Sequence, residues 1–276
     1  MPATYPAAAK TVVITLLTLT LSLSFTGCGR DKPAAEQESA PQVFKVEDFA
    51  DKSFAILSGS SFEGVARNTI GAKLCRYYNS AAEVVEAVVN GEADATLLEE
   101  PIARKAAANN PALIVLYPPV DIENYASIFS KTDDGKLRDE FNALLQKIRI
   151  DGTYEDMIKR WIDSPLVPEM PEIELGTGRN IKFATSDCDE PFSYKTGEGE
   201  AEKLVGFDVE LARRFARERG YGLEIEVMDF PDMIPAVTAG RVDFASNLFT
   251  VKEERKELVD FSEPVYYGGT VVLTKK

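Results

Sequence analysis

The sequence predicts an α/β protein of two similar lobes, each an open, mainly parallel sheet with flanking helices. The first observation behind this is a repeated unit. Ala87-Val88-x-x-Gly91-x-x-Asp94 leads into the apolar stretch Ala95–Leu98, and Ala236-Val237-x-x-Gly240-x-x-Asp243 leads into Phe244-Ala245. In each copy apolar residues at helical spacing come first: Val84, Val85 and Val88, then Met233, Ile234 and Val237. A glycine follows, the residue that takes a left-handed helix cap without strain. The second observation is that polar residues come after each strand, Glu99-Glu100 in one copy and Ser246-Asn247 in the other. Ligands of open α/β sheets sit beyond the carboxyl ends of strands. Third, 276 residues suit two modest domains better than one. Either unit alone reads as a generic αβ turn; two copies favour two lobes.

The remaining elements follow in chain order. Ser53–Leu57 reads as a strand, Ser58-Gly59-Ser60-Ser61 as a turn and Phe62–Ile70 as a helix. Asp139–Ile150 and Tyr154–Ile162 read as amphipathic helices separated by Asp151-Gly152-Thr153. Ser164–Gly178, rich in Pro and Glu, reads as a linker. A strand is expected at Ile181–Thr185 and a long helix at Phe207–Arg219.

Composition excludes much chemistry. Acids outnumber bases 45 to 31, a net charge of −14, which disfavours a nucleic acid partner. The chain has no histidine, so Ser-His-Asp and Cys-His nucleophile pairs, HExxH metalloproteases and His-ligated zinc are excluded. Cys28, Cys75 and Cys188 show no CxxC spacing. The glycines form no GxGxxG, so dinucleotide binding has little support. No metal ion or cofactor is expected.

Thr11–Phe25 is an uncharged run of 15 residues after Lys10. It is short of the ~20 residues that span a bilayer and fits the apolar core of an export signal. Phe25-Thr26-Gly27-Cys28 resembles the lipobox of bacterial lipoproteins, with Phe25 where Leu is usual. That implies a signal peptide over 1–27 and lipidation of Cys28; an uncleaved anchor helix is the other reading. Residues 28–44 are polar and Pro/Ala-rich, as a flexible tether is. The rest of the chain is then extracytoplasmic, in the periplasm or on the outer cell surface.

Several stretches carry a resemblance. PFSY (191–194), GFDVELARRFARERG (206–220), DFPDMIPAVTAGRVDFASN (229–247) and TVKEERKELVDFSEPVYY (250–267) resemble the first lobe of the family 3 extracellular solute-binding proteins. These are polar amino acid receptors of ABC importers. VEDFADKSFAILSGSS (46–61), YNSAAEVVEAVVNGEADA (78–95) and LRDEFNALLQKIRIDGTYEDMIKRW (137–161) resemble the remainder of the same fold. The resemblance implies a two-lobed, type II periplasmic-binding-protein-like fold. The departure is order: the family's first segment comes last. A circular permutant would explain this, with 165–179 joining the old termini; a truncated tandem array is the alternative. In the permutant, one lobe spans 45–123 and the other, made continuous, spans 124–276.

The resemblance also implies a site. Arg255, in Thr250-x-x-Glu253-x-Arg255, matches the family's carboxylate-binding arginine. A guanidinium pairs bidentately with a carboxylate, which lysine cannot do. Thr250 and Glu253 also read as a capping box. Gly59-Ser60-Ser61, between a strand and a helix, is placed to offer N–H groups to the same carboxylate. Glu99 matches the position where the family usually has an aspartate for the ammonium, one methylene shorter. The Thr250 hydroxyl and the Leu248 carbonyl would complete the ammonium shell. Ser186, Asp189, Phe230, Asn247 and Leu57 are expected around the ligand side chain, although Phe230 reads equally as core. Asp189 stands where relatives often carry a stacking aromatic.

The function expected is a lipid-anchored receptor that closes two lobes on an amino acid and delivers it to ABC permease subunits. The ligand expected is polar, cationic or neutral, with acidic ones disfavoured by Asp187, Asp189 and Glu190. A ligand-sensing module for a membrane signalling protein is a second reading. A cyclohexadienyl-dehydratase-like enzyme is a third, with Glu99, Asp187 and Asp189 able to serve as acid or base; with the zwitterion set present and histidine absent, no enzymatic activity is expected.

Overall fold

The structure, a computed structural model, describes residues 45–164 and 168–276. The expected signal peptide, tether and lipidated Cys28 lie outside the described residues, as do 165–167 of the expected linker. The first part comprises β1 (Ser53–Leu57), α1 (Phe62–Gly64), β2 (Leu74–Tyr78), α2 (Ala81–Asn90), β3 (Ala95–Glu99), α3 (Glu100–Asn109) and the long β4 (Leu113–Phe129). A wider, i→i+5 helical turn continues α1 over Val65–Ile70, so the expected helix 62–70 is present. Then come α4 (Lys136–Ile150) and α5 (Thr153–Ile158), extended by another wide turn over Lys159–Asp163. The last part comprises β5 (Asn180–Thr185), β6 (Cys188–Asp189), β7 (Ser193–Thr196), β8 (Lys203–Val205), α6 (Phe207–Arg219), β9 (Gly222–Val227), α7 (Phe230–Thr238), β10 (Phe244–Thr250), α8 (Glu253–Lys256), β11 (Asp260–Phe261) and β12 (Tyr266–Lys275).

The main sheet runs β2-β1-β3-β12-β4-β10-β5-β9, with β11 on β4; β6, β7 and β8 form a small antiparallel sheet. At one end β1 lies between β2 and β3, all parallel. At the other β5 lies between β9 and β10, again all parallel. Both ends thus share one local order, as the repeated unit implied, and the α/β class is the one expected. The repeated aspartate has a shared task. The Asp94 carboxylate accepts from the Ser53 N–H at 2.8 Å, and that of Asp243 from the Lys182 N–H at 2.7 Å. In return the Asp94 N–H donates to the Ser53 carbonyl and the Asp243 N–H to that of Lys182. Each aspartate therefore fixes the register between the first and third strands of its half. The preceding helices end as expected, Gly91 capping α2 at φ 77° and Gly240 following α7 at φ 68°.

Between the two parallel ends run the antiparallel β12 and β4. The expected lobe boundary at 123/124 falls inside β4, which continues unbroken. The end of β12 also departs from that boundary: Thr270–Thr274 pair with Glu99–Ala95 of β3. The half built on β1–β3 therefore includes the last strand, because β12 supplies the hydrogen-bonding edge that β3 needs.

Helices α4 and α5 belong with the other half. Phe141 of α4 packs on Phe129, Phe215 and Phe244 at ring separations of 5.2–6.1 Å. The fully buried Glu210 of α6 accepts from Trp161 Nε1 at 2.6 Å, from Arg160 Nη1 at 2.9 Å and from Arg214 Nε at 2.8 Å. A buried charge requires such complete pairing. From 168 to 179 the chain leads back to β5, with the Gly176 and Gly178 N–H groups donating to the carbonyls of Tyr221 and Gly220. Among the described residues no helix is long and apolar enough to cross a membrane.

Candidate functional site

The carboxyl ends of β1 and β3, the loop after β5, and the β10–α8 segment meet around one cavity. Of the sequence-predicted site residues, Leu57, Ser60, Ser61, Glu99, Asp189, Phe230, Asn247, Leu248, Thr250 and Arg255 line it. Gly59 and Ser186 do not line it, but each holds a residue that does. Water centres can occupy about 20 Å³ of the cavity. That is room for roughly one water. A whole amino acid enters only if the two halves separate or the lining side chains shift.

Arg255, buried on α8, donates from Nη2 to the Gly59 carbonyl at 2.7 Å and from Nη1 to the Thr250 carbonyl at 3.0 Å. One guanidinium thus contacts the β1–α1 turn and the end of β10. The turn is only in part as expected. The Ser60 N–H and hydroxyl both turn back to the Leu57 carbonyl, at 3.1 and 2.7 Å. Ser61 reaches across instead, its Oγ lying 3.3 Å from Thr250 Oγ1. The expected capping box is absent. Lys252 is the N-cap of α8, and Thr250, still in β10, donates its hydroxyl to Glu123 at 2.7 Å.

Leu248 has φ 52°, a left-handed conformation that is uncommon away from glycine. It lies in a bulge in which Ser246–Leu248 face only Ser127 of β4. Bulges re-aim side chains and backbone at sites. The strand itself runs on to Thr250, so Ser246 and Asn247 lie inside it rather than after it. Phe230 resolves its two readings by doing both: it stacks on Phe249 at 4.9 Å and lines the cavity.

Burial shifts the charged groups. The Glu99 carboxyl is pushed up to about 8 by burial, with the charges of Asp189 and Glu123 adding and Arg255 opposing. The Asp189 carboxyl is raised by burial, against hydrogen bonds from Ser186 and Asn247. Asp208, at the start of α6, is raised to about 7 by burial; Ser246 offsets part of this, yet neither carboxyl oxygen has a hydrogen bond of normal geometry. Burial lowers the Arg255 guanidinium, while Glu254, Glu123 and Glu99 hold it up.

Leu57, Ala81, Asp189 and Phe230 also line a wider neighbouring cavity, with about 400 Å³ open to water centres. Ser186, Asp187, Cys188 and Asp229 also line that cavity. Nearby, Lys105 of α3 pairs with Glu190 at 3.4 Å, a further contact between the halves. Cys75 and Cys188 are free thiols. Among the described residues no cluster of three or more Cys, Asp or Glu is arranged to hold a metal ion.

Glu123 of β4, 6% exposed, went unread in the sequence. Its run Asp121-Ile122-Glu123-Asn124 alternates like a solvated strand, and nothing local marks which acid points inward.

Residues 181–276 match the profile of the bacterial extracellular solute-binding proteins, family 3. The arginine-binding extracellular protein ArtP of Bacillus subtilis (strain 168) is 38% identical over 98 residues, 36% of this chain and 37% of that protein. The L-cystine-binding protein TcyJ of Escherichia coli (strain K12) is 34% identical over 86 residues, 31% of each. A solved structure of an ancestral arginine-binding protein bound to arginine is 39% identical, covering 32% of this chain and 37% of that one, with a TM-score of 0.29. The chain thus matches about a third of the length of these relatives, which are named as binding proteins.

Proposed function

We infer that the chain is a lipid-anchored, extracytoplasmic receptor that binds a free amino acid between the two halves of its sheet for an ABC importer. The observation that carries this is one cavity holding the buried Arg255 guanidinium and the buried Glu99 carboxyl together. An amino acid presents a carboxylate and an ammonium on the same carbon, and each needs an opposite charge when water is removed. Arg255 takes the carboxylate; Glu99, the Leu248 carbonyl and the Thr250 hydroxyl take the ammonium. The ligand side chain points past Asp189 into the wider cavity, whose acids favour a cationic or neutral polar group. The halves open and close about β4 and β12. In this reading the chain is a circular permutant joined through 165–179, which accounts for family-like segments in exchanged order, and Cys28 anchors it to the membrane. Export and anchoring keep the receptor beside its permease.

A thermal-shift panel of the twenty amino acids with ornithine and citrulline tests the reading. A ligand at ~100 times its Kd adds about 2.7 kcal/mol of stability. No shift with any amino acid overturns it. Competition among arginine, glutamine and glutamate, repeated on Asp189→Asn, then tests specificity. The substitution should lower the arginine-to-glutamine ratio; an unchanged ratio, or a preference for glutamate, removes Asp189 from that role.

A further inference from the structure

We propose that Glu123 sets the direction of the hydroxyl protons in the cavity wall, so that Thr250 and Ser61 present only lone pairs and select a ligand nitrogen that carries protons. The proposal rests on the amino-acid reading above and adds to it a residue that does not touch the ligand.

Glu123 stands on β4, between the two halves, and is linked to both. Its Oε2 accepts from Thr250 Oγ1 at 2.7 Å, on the β10 side. The same oxygen lies 3.4 Å from Ser61 Oγ, on the β1 side. Its Oε1 accepts from Lys252 Nζ at 2.9 Å. An ion-paired carboxylate has no proton to give and can only accept. Thr250 has a single hydroxyl proton, and at 2.7 Å from the carboxylate that proton points at Glu123. Ser61 has one proton as well. Its two partners are the Glu123 carboxylate and Thr250 Oγ1, 3.3 Å away, whose own proton is already committed. Both protons therefore point into the cluster, away from the cavity that Ser61 and Thr250 line.

A hydroxyl is normally ambivalent, able to donate or accept. Here the ambivalence is removed. An ammonium donates into the wall. A 2-oxo acid of the same shape brings a carbonyl oxygen that meets lone pairs, with no donor opposite. Glu123 is thus a positioning residue for amine recognition, acting through Thr250.

Replacing Glu123 by Gln keeps the shape and introduces an amide that donates to Thr250 Oγ1, freeing the threonine proton to turn toward the cavity. The experiment measures calorimetric affinity for three matched pairs: arginine with 5-guanidino-2-oxopentanoate, glutamine with 2-oxoglutaramate, and leucine with 4-methyl-2-oxopentanoate. For any amino acid that binds, Glu123→Gln should lower its preference over the 2-oxo partner by about tenfold or more, the effect of one charge-assisted hydrogen bond. Equal weakening of both partners overturns the proposal, because a merely structural link between the halves would do that. Should the Gln variant fail to fold, Thr250→Val and Thr250→Ser replace it. Val should lower the ratio and Ser restore it, and an unchanged ratio with Val again overturns the proposal. Wild-type protein that binds none of the three amino acids nor any other overturns the amino-acid reading itself, and this proposal with it.

Discussion

Arg255 Nη2 donates to the Gly59 carbonyl at 2.7 Å, joining residues 196 positions apart in the chain. The guanidinium that would take a ligand carboxylate is therefore also a tie between the two ends of the sheet. Arg255→Ala should reduce amino acid binding by about 3–5 kcal/mol, since it strands a buried carboxylate. Arg255→Lys should recover little, because an ammonium cannot reach both carbonyls and a carboxylate in one plane. Calorimetric titration with circular dichroism as the folding control measures this. Unchanged affinity would take Arg255 out of the site.

Glu99 should release a proton when an amino acid binds. Burial holds its carboxyl at about 8, so at pH 7 the protonated form predominates. An incoming ammonium favours the charged form and lowers that value. Affinity should therefore rise with pH up to about 8 and level off above it. Titrations in buffers of different ionisation enthalpy count the proton directly. Wild type should release one and Glu99→Gln none; equal counts would reassign the ammonium partner.

Asp208 gives a stability prediction of definite sign. Its carboxyl is raised from 3.8 to about 7 in the folded chain. Between those values the folded state holds a proton that the unfolded state has lost, so stability falls as pH rises. Asp208→Asn does not titrate. Its advantage over wild type should grow from pH 4 to pH 7, by up to about 4 kcal/mol, and stay constant above. Urea melts at pH 4.5, 6 and 8 decide it: a gap independent of pH means that Asp208 is charged in the folded protein.

Glu210 should be a stability residue without a binding role. It accepts from Arg160, Trp161 and Arg214, and ties the 159–163 turn to α6. Glu210→Ala leaves two arginines and an indole N–H without their acceptor, at a cost of about 3–5 kcal/mol. Hydrogen exchange should quicken first at 153–163. A loss below about 1 kcal/mol would mean that those groups find other partners.

The legible parts of this sequence were those with local causes. Helix stops at Gly91 and Gly240, the repeated Asp94 and Asp243, and the strand end carrying Glu99 all follow from spacing within a dozen residues. The middle of the sheet was not legible. Pro118-Pro119 stands within β4 and Gly268-Gly269 within β12, and by residue type each pair reads as a turn. They make sense only together. A Cβ on Gly269 would lie 2.6 Å from Pro119 Cβ. Residues 117–120 bulge opposite Val271 alone, so the prolines owe no ladder hydrogen bonds. Glu123 was missed for a related reason: its partners lie 62, 127 and 129 positions away. The Ser60 turn and the helix cap expected of Thr250 differ because such hydrogen bonds are set by these neighbours.

The place of β12 bears on how the protein is made. Residues 266–275 follow every other strand in chain order, yet they lie between β3 and β4. A growing polypeptide halted before Tyr266 has two strands with open edges facing each other across a missing member. Such edges are templates for pairing with other chains. At synthesis rates of about 5–20 residues per second, the vulnerable interval between completing β4 and supplying β12 is about 7–30 s. A chain kept unfolded until Lys275 is made, as export requires, avoids that interval and leaves β3 and β4 to meet β12 together.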